Sequence, residues 1–473
     1  MKRRDSMRFG DVPAIDFVVI LLFLTVIIGI GARASKKMKT ARDFTTAGQK
    51  LSWFTCTGSC IASAIGANVV IGKYEVILES GVSGIVASWF WWIGWLFLLL
   101  LAKPLRASGA YSIPNFLQMR YGEKTRKIGA VCVLISTISL TAAQFLAVGN
   151  VLEALGICGR KTGVWISAVI IVLFTVFSGL WGVAITDTFQ AVFLLIAFGI
   201  IFPIAVFRTA GGWDPIVASH TAEELSFFRG MAPITMAGWF FYHIFATGAD
   251  PVFAQRIFSA KDTKTAVSSQ FAAWLVTIFV TGIICALPAL AIQTIFPEMT
   301  VGSQFTPKFL LTYMPPVIRG LMLSFLLSMM LTSGDSQLLT LTSTIMDDMI
   351  RPRLKKDTSE KKIMVLNRVS CIAAACLVCI MALYFGKVYQ CLKTGGSAYG
   401  AGIFIPLVLG CFWKKANVSA VNIGMLSGLI VSFGFDLFLK IPLGLQLDGV
   451  ILGGILCLVI CVGGSLLWPE QAK

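Results

Sequence analysis

The stretch Met322–Arg353, MLSFLLSMMLTSGDSQLLTLTSTIMDDMIRPR, begins as an apolar run long enough to cross a bilayer and changes character halfway along. There it places Thr332, Ser333, Asp335 and Ser336 together. On a helix, Thr332, Ser333 and Ser336 share a face, with Asp335 at its edge. Hydroxyl oxygens and a carboxylate are hard ligands suited to a small hard cation. An ionisable side chain inside a spanning helix is costly, and it marks an ion or substrate path. The plainer alternative is a helix-packing seam of small polar residues.

The rest of the chain has the composition of an integral membrane protein. Of its 473 residues, 57% are hydrophobic and only 13% are charged, with a mean hydropathy of +0.83. The formal charge of +16 would suggest nucleic acid in a soluble protein. Here most Lys and Arg fall in short loops, so the positive-inside rule explains them, and the expected partners are a small-molecule substrate and the lipid bilayer, not nucleic acid. The twelve cysteines, among them Cys132, Cys285, Cys371, Cys376 and Cys457, read as small apolar fillers. With two histidines, His220 and His243, a histidine-based metal or catalytic cluster is not expected, and the chain is not read as an enzyme.

The apolar runs predict an all-α membrane fold of about thirteen spans. They fall at 15–34, 51–80, 84–101, 128–155, 164–180, 183–207, 233–247, 265–295, 318–346, 363–385, 397–412, 416–439 and 450–468. The first is a full span with basic residues after it, which distinguishes it from a cleaved signal. One set of loops carries Lys36, Lys37, Lys39 and Arg42, the stretch 103–127, then Arg256, Lys261 and Lys264, the stretch 351–362, and Lys414 and Lys415. The other carries a few, such as Arg160, Lys161, Arg229 and Lys308. The first set is therefore expected on the cytoplasmic side of the plasma membrane, with the N-terminus outside and the C-terminus inside. The leader MKRRDSMR opposes that rule.

Several spans are interrupted. The second contains GSCIASAIGANVVIG, the seventh is short, and the eleventh holds Gly395, Gly396, Gly400, Gly402 and Pro406. Broken helices at corresponding places in two halves point to the central site of a transporter. Freed carbonyls at membrane depth are tolerated where they line a cavity, and there they can bind a cation.

Seven stretches, in order, resemble the sodium/solute symporter family: ARDFTTAGQKLSWF, SIPNFLQMRYGEKTRKIGA, FSGLWGVAITDTFQAVFLLIAF, GGWDPI, TGADPVFAQRIFSAKDTKTA, TSGDSQLLTLTSTIMDDM and IPLVLGCFWKKAN. The resemblance runs from about Ile15 to Lys415. It implies a leucine-transporter-like core of two inverted five-helix repeats, 51–207 and 233–412, with an extra N-terminal helix at 15–34 and two C-terminal helices over 416–468. It also implies sodium-coupled symport of a small organic solute by alternating access, by a monomer. Its main sodium site would use the carbonyls of Ala62, Ile65 and Met329 and the hydroxyls of Thr332 and Ser333. A second sodium site would match Asp187, Asp335 and Ser336. A proton held by Asp187 or Asp335 is the alternative coupling ion.

By the same resemblance the substrate would lie near Gly66, Ala67, Asn68 and Val69, with Gln144, Trp239, Tyr242 and His243 across from them. Sugar-carrying members show several polar side chains in the second span. Here only Asn68 is present before apolar Val69, Val70 and Ile71, which disfavours a galactose-like substrate. Proline-carrying members have an aspartate where this chain has Ala64. Lys73 can hold a substrate carboxylate, which favours an amino acid or organic carboxylate; the preferred reading pairs it with Glu75 or Glu79 near the external vestibule.

Overall fold

The computed structural model describes residues 8–34, 38, 40–66, 68–355, 357–385, 388–439 and 448–468. Among them the regular structure is helical, apart from a two-residue antiparallel pairing of Arg8–Phe9 with Val12–Pro13 and a parallel bridge between Leu51 and Ala260. Eight helical runs are long and apolar enough to cross a membrane. Two of these, Trp53–Ala107 with 55 residues and Arg160–Thr209 with 50, are far too long for one crossing. At 1.5 Å per residue they would extend roughly 75–83 Å, against about 30 Å of hydrocarbon. Each is broken at a glycine in left-handed backbone, Gly81 (φ +55°) and Gly179 (φ +51°), where the sequence predicted the ends of spans. A side chain at Gly81 would meet the Glu224 carbonyl oxygen at 2.1 Å, and that oxygen accepts the Val82 N–H at 2.7 Å. The loop before the seventh span is thus docked on the first break. With each doubled run taken as two, the shorter Pro233–Gly248 and Val418–Gly434, and the polar-centred Ile318–Ser343, complete the thirteen predicted spans.

The elements around the centre are α1 (Ala14–Ala34), α2 (Trp53–Ala64), α3 (Lys73–Ala107), α4 (Glu123–Ala154) and α5 (Arg160–Ile196). They continue with α6 (Pro233–Gly248), α7 (Pro251–Ser259), α8 (Thr263–Phe279), α9 (Ile318–Ser343), α10 (Glu360–Phe385) and α11 (Val388–Phe412). Helix α1 turns Val18 and Leu22 outward, as a lipid-facing helix does. Its one buried acid, Asp16, accepts from Arg319 Nε at 2.6 Å and from the Val317 N–H at 2.8 Å, which ties α1 to the start of α9. Helix α3 packs on α8 through its tryptophans: Trp92 Nε1 donates to Thr277 Oγ1 at 3.3 Å and Trp95 Nε1 to Gln270 Oε1 at 2.9 Å.

Two boundaries depart from the sequence reading. The polar stretch after the seventh span, taken as a loop, is helix α7, and every residue from Pro251 to Ser259 is buried. Its start is locally encoded: Asp250 accepts the Val252 and Phe253 N–H groups at 2.8 and 3.2 Å, and Pro251 occupies the first turn. Arg256, counted among the loop charges, is therefore a core residue. The eleventh span begins at Val388 and not at Ser397. Lys393 interrupted the apolar run in the sequence; in the fold it is paired with Asp448, the residue that precedes the last helix, Gly449–Leu467.

Candidate ion and substrate site

Two helices are discontinuous at the centre. Helix α2 ends at Ile65, whose backbone (φ −92°, ψ 66°) leaves the helical region, and a π-helical turn at Asn68–Gly72 restarts the chain into α3. Helices α6 and α7 are separated by Ala249 and Asp250. Both breaks line one cavity of about 150 Å³, through Gly66 and Val69 on one side and Thr247 and Asp250 on the other.

Helix α9 crosses the first break. Ser333 Oγ lies 3.4 Å from the Ser63 carbonyl oxygen. A Cβ at Gly66 would sit 2.5 Å from the same hydroxyl, so only glycine allows this approach. Thr332 Oγ donates to the Met329 carbonyl at 3.0 Å, and Thr332, Ser333, Met329, Ala62 and Ile65 are all buried. The oxygen donors expected for the main sodium thus belong to two elements that touch: a helix that stops and a helix that passes it.

One turn further along α9, two of the three residues assigned to a second cation, Ser336 and Asp187, meet a cation already built into the chain. Arg256 reaches them from α7 with no exposed surface. Its Nη2 donates to Ser336 Oγ at 2.5 Å, to Ser63 Oγ at 3.2 Å and to Asp187 Oδ2 at 3.4 Å, and its Nε donates to Ser59 Oγ at 3.1 Å. Ser59 Oγ also donates to Asp187 Oδ2 at 2.7 Å. Asp187 and Ser336 are therefore brought together around a guanidinium. Asp335 is buried on α9, and its Oδ1, like Oδ1 of Asp187, has no hydrogen-bond partner among the described residues. Arg256 was legible only once α7 is recognised as a helix, and the Asp250–Pro251 start signal was the clue available.

Of the residues assigned to substrate, Gly66, Val69, Gln144, Trp239, Tyr242 and His243 all line the cavity. Ala67 and the side chain of Asn68 lie outside the described residues. Tyr242 Oη donates to the Leu392 carbonyl at 2.9 Å. His243 packs between Trp239 and Tyr242, at ring separations of 5.4 and 5.1 Å.

Lys73 departs from its preferred reading. It forms no ion pair with Glu75 or Glu79, which line a different space. Instead it is buried, lines the cavity, donates to the Thr281 carbonyl at 3.3 Å and lies 4.5 Å from the centre of the Trp92 ring. The reason is rotation along the helix: Lys73 and Glu75 are two positions apart and so face different ways.

Glu75 and Glu79 belong to a basin of about 1400 Å³ with Arg160 and Lys308 at its wall. Val76 and Trp239 border both the basin and the cavity. Glu153 in the last turn of α4 lines this basin. Near the first turn of α4, by Arg126 and Asp347, the space is about 270 Å³. The two ends of α4 therefore face unequal openings, and the molecule is wide on the Glu153 side.

Comparison with known proteins accords with this geometry. The model of the sodium:solute symporter family matches residues 44–431, which leaves α1 outside the match. The chain is 24% identical over 474 residues to a sodium/glucose cotransporter of Vibrio parahaemolyticus, covering 90% of this chain and 85% of that one. It is 24% identical to the osmoregulated proline transporter OpuE of Bacillus subtilis (88% and 87% covered) and 25% identical to a sodium/proline symporter of Staphylococcus aureus (88% and 84%). A solved structure of a Na+-coupled sialic acid symporter, substrate-bound and outward-open, superposes with a TM-score of 0.82 at 18% identity, over 97% of this chain and 99% of that one. The nucleobase-cation-symport-1 transporter Mhp1 superposes with a TM-score of 0.62 at 16% identity, over 91% and 95%.

Proposed function

The chain belongs to the sodium:solute symporter family, and on that premise we propose how its ion and substrate sites work together. It is a sodium-coupled symporter of small organic solutes, acts by alternating access, and is a multi-pass protein of the plasma membrane. It is a transporter and not an enzyme.

Sodium at the carbonyls of Ala62, Ile65 and Met329 and the hydroxyls of Thr332 and Ser333 would bridge α9 and the break after α2. The contact of Ser333 with Ser63 and Gly66 is the observation that carries this reading. Because the same break lines the cavity, an ion there fixes the wall against which the solute binds. The repeats over 51–207 and 233–412 then rock about the site. The large basin corresponds to the external vestibule, and the basic loops near Arg126 and Arg351 to the cytoplasm, which agrees with the positive-inside rule. One chain suffices as the working unit, because a single chain supplies both the ion ligands and the cavity.

One charge moving down 100 mV supplies about 2.3 kcal/mol, and a tenfold sodium gradient about 1.4 kcal/mol. A single sodium then concentrates a neutral solute a few hundredfold. At the second cation position Arg256 stands as a resident charge in this conformation. The guanidinium there is paired with Asp187, and Oδ1 of Asp187 and of Asp335, which have no hydrogen-bond partner among the described residues, support a further cation on the Asp335 side.

The test is thermal unfolding of the purified protein with small organic solutes, in sodium and in choline at one pH. A solute that stabilises in sodium and not in choline is the expected result. Stabilisation of equal size in choline, growing as pH falls, would replace sodium with a proton.

A further inference from the structure

We propose that Lys73 and His243 form the recognition end of the cavity, and that its substrate is a small organic acid. The carboxylate pairs with the Lys73 ammonium, and a donor or acceptor beside that carboxylate bonds to the His243 imidazole. This rests on the cavity being the transport site.

Four observations carry it. Lys73 is 9% exposed, and an ammonium has three donors, yet its protein partners are one carbonyl and one aromatic face. Neither carries a full negative charge, and none of the ion pairs among the described residues includes Lys73. A buried charge without a counter-charge is costly, and a bound carboxylate removes that cost. Second, His243 is 6% exposed in the same cavity, and neither ring nitrogen has a hydrogen-bond partner among the described residues. A substrate group is the partner that the geometry leaves open.

Third, the other charges at the cavity wall are already engaged. Asp250 caps α7 and accepts from Tyr399 Oη at 3.4 Å; Lys393 and Asp448 pair with each other. Lys73 is therefore the wall cation left to recognise an anion. The outer half of the broken helix also starts at the cavity, through Val69 and Gly72, and a helix start carries positive partial charge. Fourth, the volume of about 150 Å³ is that of a cavity that holds a benzene-sized molecule. Val69, Val76, Leu140 and Phe253 form an apolar part of the wall. The arrangement fits a short amino, hydroxy or keto acid.

The experiment uses the full chain in detergent, with sodium alone and then with acetate, lactate, pyruvate, L-alanine or L-proline, each beside its amide. At least one acid is expected to stabilise the wild type while its amide does not. Lys73→Gln weakens that acid by about tenfold or more, and Lys73→Arg restores most of the loss. His243→Ala weakens lactate, pyruvate or the amino acid about tenfold but leaves acetate unchanged, since acetate has no neighbouring polar group. Stabilisation of Lys73→Gln by sodium alone shows that the variant is folded. Amides that bind as well as acids, a Lys73→Gln protein with wild-type affinity, or no binding by any acid overturns the proposal. Acid binding that needs Lys73 but ignores sodium upholds the proposal and removes the sodium coupling instead.

Discussion

Arg256 and Asp187, 69 residues apart, form an ion pair at 3.4 Å with neither side chain exposed. The pair joins α7, the second half of a broken helix, to α5. Through Ser59, Ser63 and Ser336 it also holds α2 and α9. A charge cluster at the meeting point of four helices is both a strut and a candidate moving part.

Removing one partner leaves a buried charge uncompensated. Arg256→Ala is expected to destabilise the protein by about 3–5 kcal/mol, and Asp187→Asn with Arg256→Gln to recover most of that. Thermal unfolding of the two variants beside the wild type checks this. An Arg256→Ala protein that melts with the wild type refutes the strut.

Ser333→Ala and Thr332→Ala each remove one hard oxygen from the proposed ion site. Both should raise the sodium concentration for half-maximal stabilisation by about fivefold or more, while sodium-free melting stays within about 1 kcal/mol of the wild type. Sodium titrations identical to the wild type in both would take the site away from these hydroxyls.

Gly66→Ala places a methyl 2.5 Å from Ser333 Oγ. It should cost about 1–3 kcal/mol and weaken sodium together with stability. Adding Ser333→Gly relieves the clash but not the lost ligand. Melting should recover in the double variant while sodium affinity does not.

Lys393 and Asp448 are the contact that lets the eleventh span begin at Val388. Lys393→Met or Asp448→Asn alone is expected to lower stability by about 1–3 kcal/mol, discounted because Lys393 is partly exposed. The charge swap Lys393→Asp with Asp448→Lys should restore it. Failure of the swap, with both single variants neutral, would mean that the pair contributes nothing to the register of α11.

Spans could be read in the sequence wherever apolar length alone decides them. Ala14–Ala34, Glu123–Ala154 and Gly449–Leu467 fall close to the runs expected of them. The glycine breaks at Gly81 and Gly179 fell where the runs were divided. The reading failed at α7 and at the start of α11, where Arg256 and Lys393 made the sequence look like loop. Both helices are tolerated because a partner far along the chain neutralises the charge.

The sequence by itself determined a many-span membrane fold, the polar centre of α9 and its family. Each depends on local hydropathy or on short ordered motifs. Only the tertiary structure decided that Lys73 faces the cavity and not Glu75, that Ser333 rests against the break after α2, and that Arg256 occupies the place beside Asp187 and Ser336. The physical reason is that a charge in low dielectric takes its meaning from whichever group lies a few ångströms away. In this chain those groups come from other helices.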